Sequence, residues 1–336
     1  MPALRMPSSW GCCRDTSPPE ISALAATSVG LTILPRAGMA LDYPTRPVRF
    51  VVGFPAGSAT DIVGRLVAQS LSERYGQQFI VENRPGAGSN IAAEAVVKAD
   101  PDGYTLLQVA SPNAINATLF SNLGFNFIRD IAPVVGIFQY PYVMVVNSAV
   151  PAKTVAEFIA YGKANPGKID MASAGNGTAP HIFGELFKMM AGVKMLHVPY
   201  RGSYFSDLIA GQVQVVFSPL PSTIGYIRAG TLRALAVTTA ARSSALPDVP
   251  AIGETVAGYE AFSWQGVGAP KKTSAEIIDK LNGEINTVLA DPKMKARLAE
   301  LGGTVLGGTP ADFGKLIVDE TEKWAKVIKS ANIKLE

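Results

Sequence analysis

Cysteine is almost missing from this chain: of 336 residues only Cys12 and Cys13 carry a thiol, side by side within the first forty. From residue 41 onward the chain needs no disulfide and can fold in a reducing or an oxidising compartment. Histidine is equally scarce, at His181 and His197. A zinc site would have to lean on carboxylates, and no clustered spacing of these is visible. No apolar run reaches the roughly 20 residues that cross a bilayer; the longest candidate is Ile21 to Leu34. Charged residues make up only 17%, 30 basic against 27 acidic for a net +3, with no block of five or six like charges. Nothing in that balance asks for nucleic acid. Phosphate-loop, nucleophile-elbow and zinc-protease signatures are absent, and Gly86-Ala-Gly88 fails the dinucleotide fingerprint at its third glycine.

What is present is a globular composition, 48% apolar with 32 Gly and 24 Pro, on a length that suits two or three domains. Arg5 and Arg14 precede the apolar stretch, and Ala37-Gly-Met-Ala40 supplies small residues at the positions a signal peptidase reads. Residues 1–40 therefore read as a secretory signal cleaved after Ala40. Trp10-Gly11, ahead of the two cysteines, lacks the apolar approach of a lipoprotein signal.

Downstream, strands and helices alternate. Val48 to Phe54 reads as a buried strand, and Thr60 opens a helix with Ile62, Val63, Leu66, Val67 and Leu71 on one face and Gly76 at its end. Gln78 to Glu82 is a second strand, Ile91 to Ala99 a second helix, and Tyr104 to Leu107 a third strand, a β-α-β-α-β opening. Thr154 caps another helix; Lys168–Ala172, Met195–Val198, Gln212–Phe217, Leu232–Val237 and Phe262–Val267 read as extended, and His181–Met190 and Ser206–Ala210 as helical. The C-terminal portion reads as three helices with no strong strand between them, opened by a capping box at Thr273-Ser-Ala-Glu276, by Asp291-Pro292 and by Thr309-Pro310. They are expected to pack on the existing sheet. The fold class is α/β.

Glycine-rich loops recur where strands run into helices: Phe54 to Asp61, Arg84 to Asn90, Ser173 to His181 and Tyr200 to Ser203. Each is suited to aim unpaired N–H groups and the positive end of a helix dipole at an anion. Carboxylate is favoured over phosphate because the loops lack a density of Lys or Arg. Asp61, in the first turn of its helix, either complements the dipole or faces a cleft; His181 either caps its helix or borders the site. Arg84 and Arg201 are each suited to a charge-assisted contact or to a solvated loop. His197 reads as a satisfied strand histidine.

Taken together, Tyr43-Pro-Thr-Arg-Pro-Val-Arg-Phe-Val-Val-Gly-Phe-Pro-Ala-Gly, Val81-Glu-Asn-Arg-Pro-Gly-Ala-Gly, Pro101-Asp-Gly-Tyr-Thr-Leu-Leu, Ala174-Gly-Asn-Gly-Thr-Ala-Pro-His and Val198-Pro-Tyr-Arg-Gly resemble the tripartite tricarboxylate transporter substrate-binding receptors, the Bug family. The resemblance implies a two-lobed, type II periplasmic-binding-protein-like fold, each lobe a mixed sheet flanked by helices, with a double crossover between lobes. Residues 43–143 with 263–336 would form lobe one, and 144–262 lobe two. It implies a monomeric periplasmic receptor that binds a small mono- or dicarboxylate, aromatic acids included, and delivers it to membrane permease subunits, with no cofactor and no catalysis. Carried onto this sequence, the ligand-binding set is Phe54, Pro55, Ala56, Gly57, Ser58 and Asp61 from the first loop, and Ser173, Gly175, Gly177, Thr178, His181, Tyr200 and Arg201 from lobe two. Ala87 and Ser111 complete it.

The chain departs from the family pattern in places. Gly57-Ser58 stands where the family has Gly-Gly, Ser89 where Gly is common, and Phe217-Ser218 where Asp often follows Phe. Tyr204 and Phe205 would narrow the far end of the cleft or stack on an aromatic acid. A ligand sensor for a membrane kinase shares the same site, and a periplasmic hydrolase or isomerase would use Asp61 and His181 as acid and base.

Overall fold

The expected β-α-β-α-β opening is present as β1 (Val48–Val52), α1 (Ala59–Tyr75), β2 (Phe79–Asn83), α2 (Asn90–Val97) and β3 (Thr105–Ala110). The computed structural model describes residues 42–334 apart from Ser121, Arg201 and Gly202; the signal read in 1–40 lies outside the described residues. β1 pairs in parallel with both β2 and β3, and its side chains are buried on both faces except Arg49, as a central parallel strand requires. Ser58 caps α1 by accepting from the Asp61 N–H, and Gly76, at φ 65°, ends the helix in the left-handed conformation that glycine adopts without a steric penalty.

After α3 (Ser111–Leu119) and α4 (Phe127–Asp130) comes β4, Ile131–Asn147, a single strand of 17 residues. There follow α5 (Val155–Ala164), β5 (Asp170–Ser173), α6 (Ala179–Ala191), β6 (Leu196–Pro199), α7 (Phe205–Ala210), β7 (Val215–Pro219), α8 (Leu220–Arg228) and β8 (Leu232–Val237). The chain closes with β9 (Phe262–Pro270), α9 (Ala275–Ala290), α10 (Pro292–Glu300), β10 (Thr304–Gly307) and α11 (Pro310–Ser330).

The strands follow one hydrogen-bonded path, β2-β1-β3-β9-β4-β7-β5-β6, with β10 and β8 added on β4. β4 joins the two halves of that path. Its first part, from Ile131 to Pro141, pairs antiparallel with β9, and Gly136 to Gln139 pair with β10. Its last part, Tyr142 to Asn147, pairs with β7 and β8. Where β4 passes from one set of partners to the other, Thr238 clasps it: Tyr142 N–H donates to Thr238 Oγ1 at 3.0 Å, and Thr238 N–H to the Tyr142 carbonyl at 2.9 Å.

The C-terminal helices pack on the sheet as expected, with α9 on β4 and α1, and α11 on β4 and α3. α11 also reaches both halves. Phe313 and Ile317 join the core around Trp264, whereas Trp324, Val327 and Ile328 join the core of the β5–β7 half, with Trp324 stacked 5.1 Å from Phe183. Glu320, buried, accepts from both indoles, Trp324 at 2.8 Å and Trp264 at 3.4 Å.

Three local expectations are corrected. The cap of α1 is Ser58 and not Thr60, which already lies in the first turn of the helix. A strand, β10, does lie between the last two helices; it is only four residues long and owes its pairing to β4, so its own sequence carries little signal. The cap of α9 is Ser274, one residue beyond Thr273, because Thr273 is held in the preceding turn by its N–H bond to the Pro270 carbonyl.

Close approach of β9 to its neighbours depends on Gly266: a Cβ there would stand 2.5 Å from the Val135 carbonyl oxygen and 2.2 Å from the Phe313 ring. The carbonyl is backbone and cannot turn aside. Gly266→Ala is therefore expected to lower stability by about 1–3 kcal/mol, the usual range for overpacking, read as a lower urea midpoint. An unchanged midpoint would refute this packing.

Candidate ligand-binding site

In an α/β sheet the carboxyl ends of parallel strands leave a crevice where the helices that follow begin. Here four such ends meet at one cavity of about 470 Å³. Phe54 and Thr60 come from the β1–α1 junction, Ala110, Ser111 and Pro112 from β3–α3, Ala174 to Pro180 from β5–α6, and Pro219 from β7–α8. Two junctions belong to each half of the sheet. Between them the floor is made by Tyr140 and Tyr142 on β4 and by Ser263, Trp264 and Gln265 on β9. Gly88, Asn116 and Tyr204 close the sides.

Among the described residues, no wall residue is Lys, Arg, His, Asp or Glu. Four helices nevertheless direct their N-terminal ends at the space, each equivalent to roughly half a positive charge near its first turn. The cavity thus attracts an anion with no cation among the described residues of its wall. Neutral donors supplement the helices. Burial, reinforced by the adjacent Tyr140, pushes the Tyr142 hydroxyl well above its usual range, and burial raises that of Tyr204. Both stay protonated at physiological pH. Tyr204 shares a 2.8 Å hydrogen bond with Ser218, and Ser263 donates to Tyr142 at 3.2 Å.

The sequence candidates fall into two groups. Phe54, Ser111, Gly177 and Thr178 are wall residues, although the Ser111 hydroxyl is occupied by the backbone of Trp264, accepting from its N–H at 2.7 Å. The other described candidates are not wall residues. Pro55, Ala56 and Gly57 form an exposed turn, and Ser58 caps α1. Asp61 is 2% exposed and binds its own loop: it accepts from Gly57 N–H at 2.8 Å, Arg65 Nε at 2.9 Å and Asn83 Nδ2 at 2.8 Å. Burial opposes its charge, but these hydrogen bonds prevail and hold the carboxyl below its usual range. Ala87, at φ 45°, precedes the wall residue Gly88, whose carbonyl accepts from Asn116 at 2.8 Å.

In the second half, Ser173 Oγ accepts from the Gly175 N–H at 3.0 Å and lies 2.6 Å from His197 Nε2. His181 accepts from the Gly177 N–H through Nδ1 at 3.1 Å and stacks on His197 with ring centres 3.6 Å apart. Tyr200 donates to Asp207 at 2.7 Å, which with burial raises its hydroxyl to about 12. Arg201 lies outside the described residues.

Sequence reasoning found the glycine-marked junctions; at the proline-marked ones it named Ser111, carried over from the family resemblance, but not Pro112 beside it, and passed over Pro219 before α8, although proline at a helix start was an available signal. It also missed Tyr140, Tyr142, Ser263 and Gln265, because on a buried strand a wall residue and a core residue look alike.

Carboxyl ends of parallel strands from two half-sheets, joined by a shared strand and facing one anion-attracting cavity, define a two-lobed solute-binding protein of the periplasmic type. Residues 63–333 match the model of the Tripartite tricarboxylate transporter family receptor, and the chain belongs to that family of receptors. It is 35% identical over 301 residues to Protein BugT of Bordetella pertussis, covering 88% of this chain and 92% of that one. Among solved structures it is similar to R. palustris Rpa4515 with adipate, at 38% identity and TM-score 0.75, covering 87% of this chain and 99% of that one. MatC (Rpa3494) from Rhodopseudomonas palustris with bound malate follows at 28% identity and TM-score 0.71, over 85% of this chain and all of that one.

Two predictions concern the loop supports. Burial, with His181 and Lys188 nearby outweighing Glu185, lowers His197 to about 4 from the ordinary 6.5 of a histidine. The unfolded chain therefore takes up the proton first, and the contribution of His197 to stability is whole above about pH 6.5 and drains away toward about pH 4. His197→Phe, which keeps the stacking, should flatten the fall of the urea midpoint across that window; an equally steep fall would exclude His197 as its source. Asp61→Asn sets an amide N–H₂ against donors, and should cost about 1–3 kcal/mol in stability, measured by thermal or urea unfolding.

Proposed function

We propose that this chain is exported to the periplasm by the signal read in residues 1–40, captures a small organic carboxylate between two lobes, and hands it to the permease subunits of a tripartite tricarboxylate-type transporter. The observation that carries this is the cavity itself, where four strand-to-helix junctions drawn from both halves of the sheet supply positive helix ends and, among the described residues, no wall residue carries a charge. The ligands named for the relatives Rpa4515 and MatC, adipate and malate, support a carboxylate.

In this reading lobe one is 43–143 with 263–336 and lobe two is 144–262. Closure is a rotation about the β4 crossover, where Tyr142, Thr238 and Ala261 are linked in series, the Ala261 N–H donating to the Thr238 carbonyl at 2.8 Å. Ligand contacts come from the wall residues Phe54, Ser111, Gly177 and Thr178, with Asp61, Ser173 and His181 holding the loops in shape. An acid–base role for Asp61 and His181 draws no support, because neither is a wall residue: Asp61 is held by Gly57, Arg65 and Asn83, and His181 by Gly177 and the nearby Glu185.

The same wall favours one kind of acid. Aromatic residues such as Phe54, Tyr140, Tyr142, Tyr204 and Trp264 make the surroundings largely apolar. A carboxylate with an apolar body is matched better than one bearing three charges, each of which would need its own donors. The test is titration calorimetry of the purified protein with adipate, malate, benzoate and citrate, beside a thermal-shift series. Binding only the folded state raises stability by RT ln(1 + [L]/Kd), about 2.7 kcal/mol at a hundredfold excess over Kd. Adipate or benzoate is expected to bind about tenfold or more tightly than citrate. A cooperative melt unmoved by every acid would overturn the receptor reading.

A further inference from the structure

The floor of the cavity contains a buried amide with nothing to donate to. Gln265, on β9, is 1% exposed, and Gln108, on the neighbouring β3, is fully buried. Gln108 Nε2 donates to the Thr60 carbonyl at 2.9 Å and to Gln265 Oε1 at 2.9 Å. Those two bonds use both hydrogens of the Gln108 amide.

The orientation of the pair follows from the backbone. Turning the Gln108 amide over would set its oxygen against the Thr60 carbonyl, so Thr60 fixes Gln108. Gln108 then presents N–H to Gln265, which must answer with its oxygen. The Gln265 N–H₂ is thereby turned away from Gln108, and Nε2 has no hydrogen-bond partner among the described residues. Gln108 Oε1 also lacks one, but it is packed against Gly64 of α1, where a Cβ would stand 2.1 Å from it, and Gln108 is not a wall residue. Gln265 is. A buried donor left unpaired is costly, so a site that keeps one in its wall has a use for it.

We propose that Gln265 is a ligand-contacting, specificity-determining residue whose Nε2 donates to an acceptor oxygen of the bound acid, presented by the chain Thr60–Gln108–Gln265. This rests on the reading of the protein as a carboxylate receptor. The amide makes the cavity floor selective for acids that bring an oxygen to β9, and it does so without a charge that would hold the ligand after the lobes open.

The experiment is calorimetric titration of the purified wild type, Gln265→Met and Gln265→Glu with adipate, malate and benzoate, alongside unfolding of each protein without ligand. Gln265→Met keeps the length of the side chain and removes the donor; the acid that binds the wild type best should bind it about tenfold or more weakly, while its melt stays cooperative. In Gln265→Glu the introduced carboxyl still accepts from Gln108 but repels the ligand when ionised. Its affinity should be lowest near pH 8 and recover as pH falls and the carboxyl regains a proton to donate, whereas the wild type shows no such recovery. A merely structural Gln265 would not produce that profile. Binding by folded Gln265→Met within twofold of the wild type overturns the assignment whatever the other variant does. If the wild type binds none of the three acids, the receptor reading itself fails and takes this inference with it.

Discussion

The molecule depends on one strand serving two sets of partners. β4 runs unbroken from Ile131 to Asn147, hydrogen-bonded first to β9 and β10 and then to β7 and β8. Because side chains alternate along a strand, the residues at its middle are committed in turn to one face or the other. Tyr140 and Tyr142, two apart, share a face, stack with ring centres 5.9 Å apart, and reach the cavity. The element that joins the halves also supplies the floor of the site, so any rotation of one half against the other is felt where the ligand sits.

Around that floor the helix ends attract negative charge without a charged side chain among the described wall residues. Helix ends are fixed dipoles whose positions are set by the fold, and they lose no side-chain entropy when an anion arrives. The charged and titratable groups near the loops stand one layer back. Asp61 holds the turn before α1, and His181 with His197 and Ser173 holds the turn before α6. Both arrangements fix loop N–H groups through a side chain four residues further along the chain, Gly57 to Asp61 and Gly177 to His181. The two halves thus solve the same problem with different chemistry.

Much of this was legible in the order of residues. The strand–helix alternation, Gly76 at the end of α1 and Thr309-Pro310 before α11 are local signals, set by residues that satisfy or free nearby backbone groups, whereas the cap of α1 lay at Ser58, two residues before the Thr60 the pattern suggested. The five motifs that resemble the receptor family lie in the same segments. β10 was illegible, because its four residues become a strand only where β4 offers them an edge; α3 and α8 went unread although prolines mark their starts.

The sequence by itself determined the class of the fold, the succession of elements and the places where backbone is free to meet an anion, because each is settled by contacts within a few residues. Which residues face the ligand was decided only in three dimensions. Asp61 and His181 are drawn to their own loops by hydrogen bonds to Gly57 and Gly177, and the amide of Gln265 is oriented by Gln108, 157 positions away. A side chain's role at a buried site depends on which of its polar atoms are already taken, and those partners come from strands brought together by register and not by sequence.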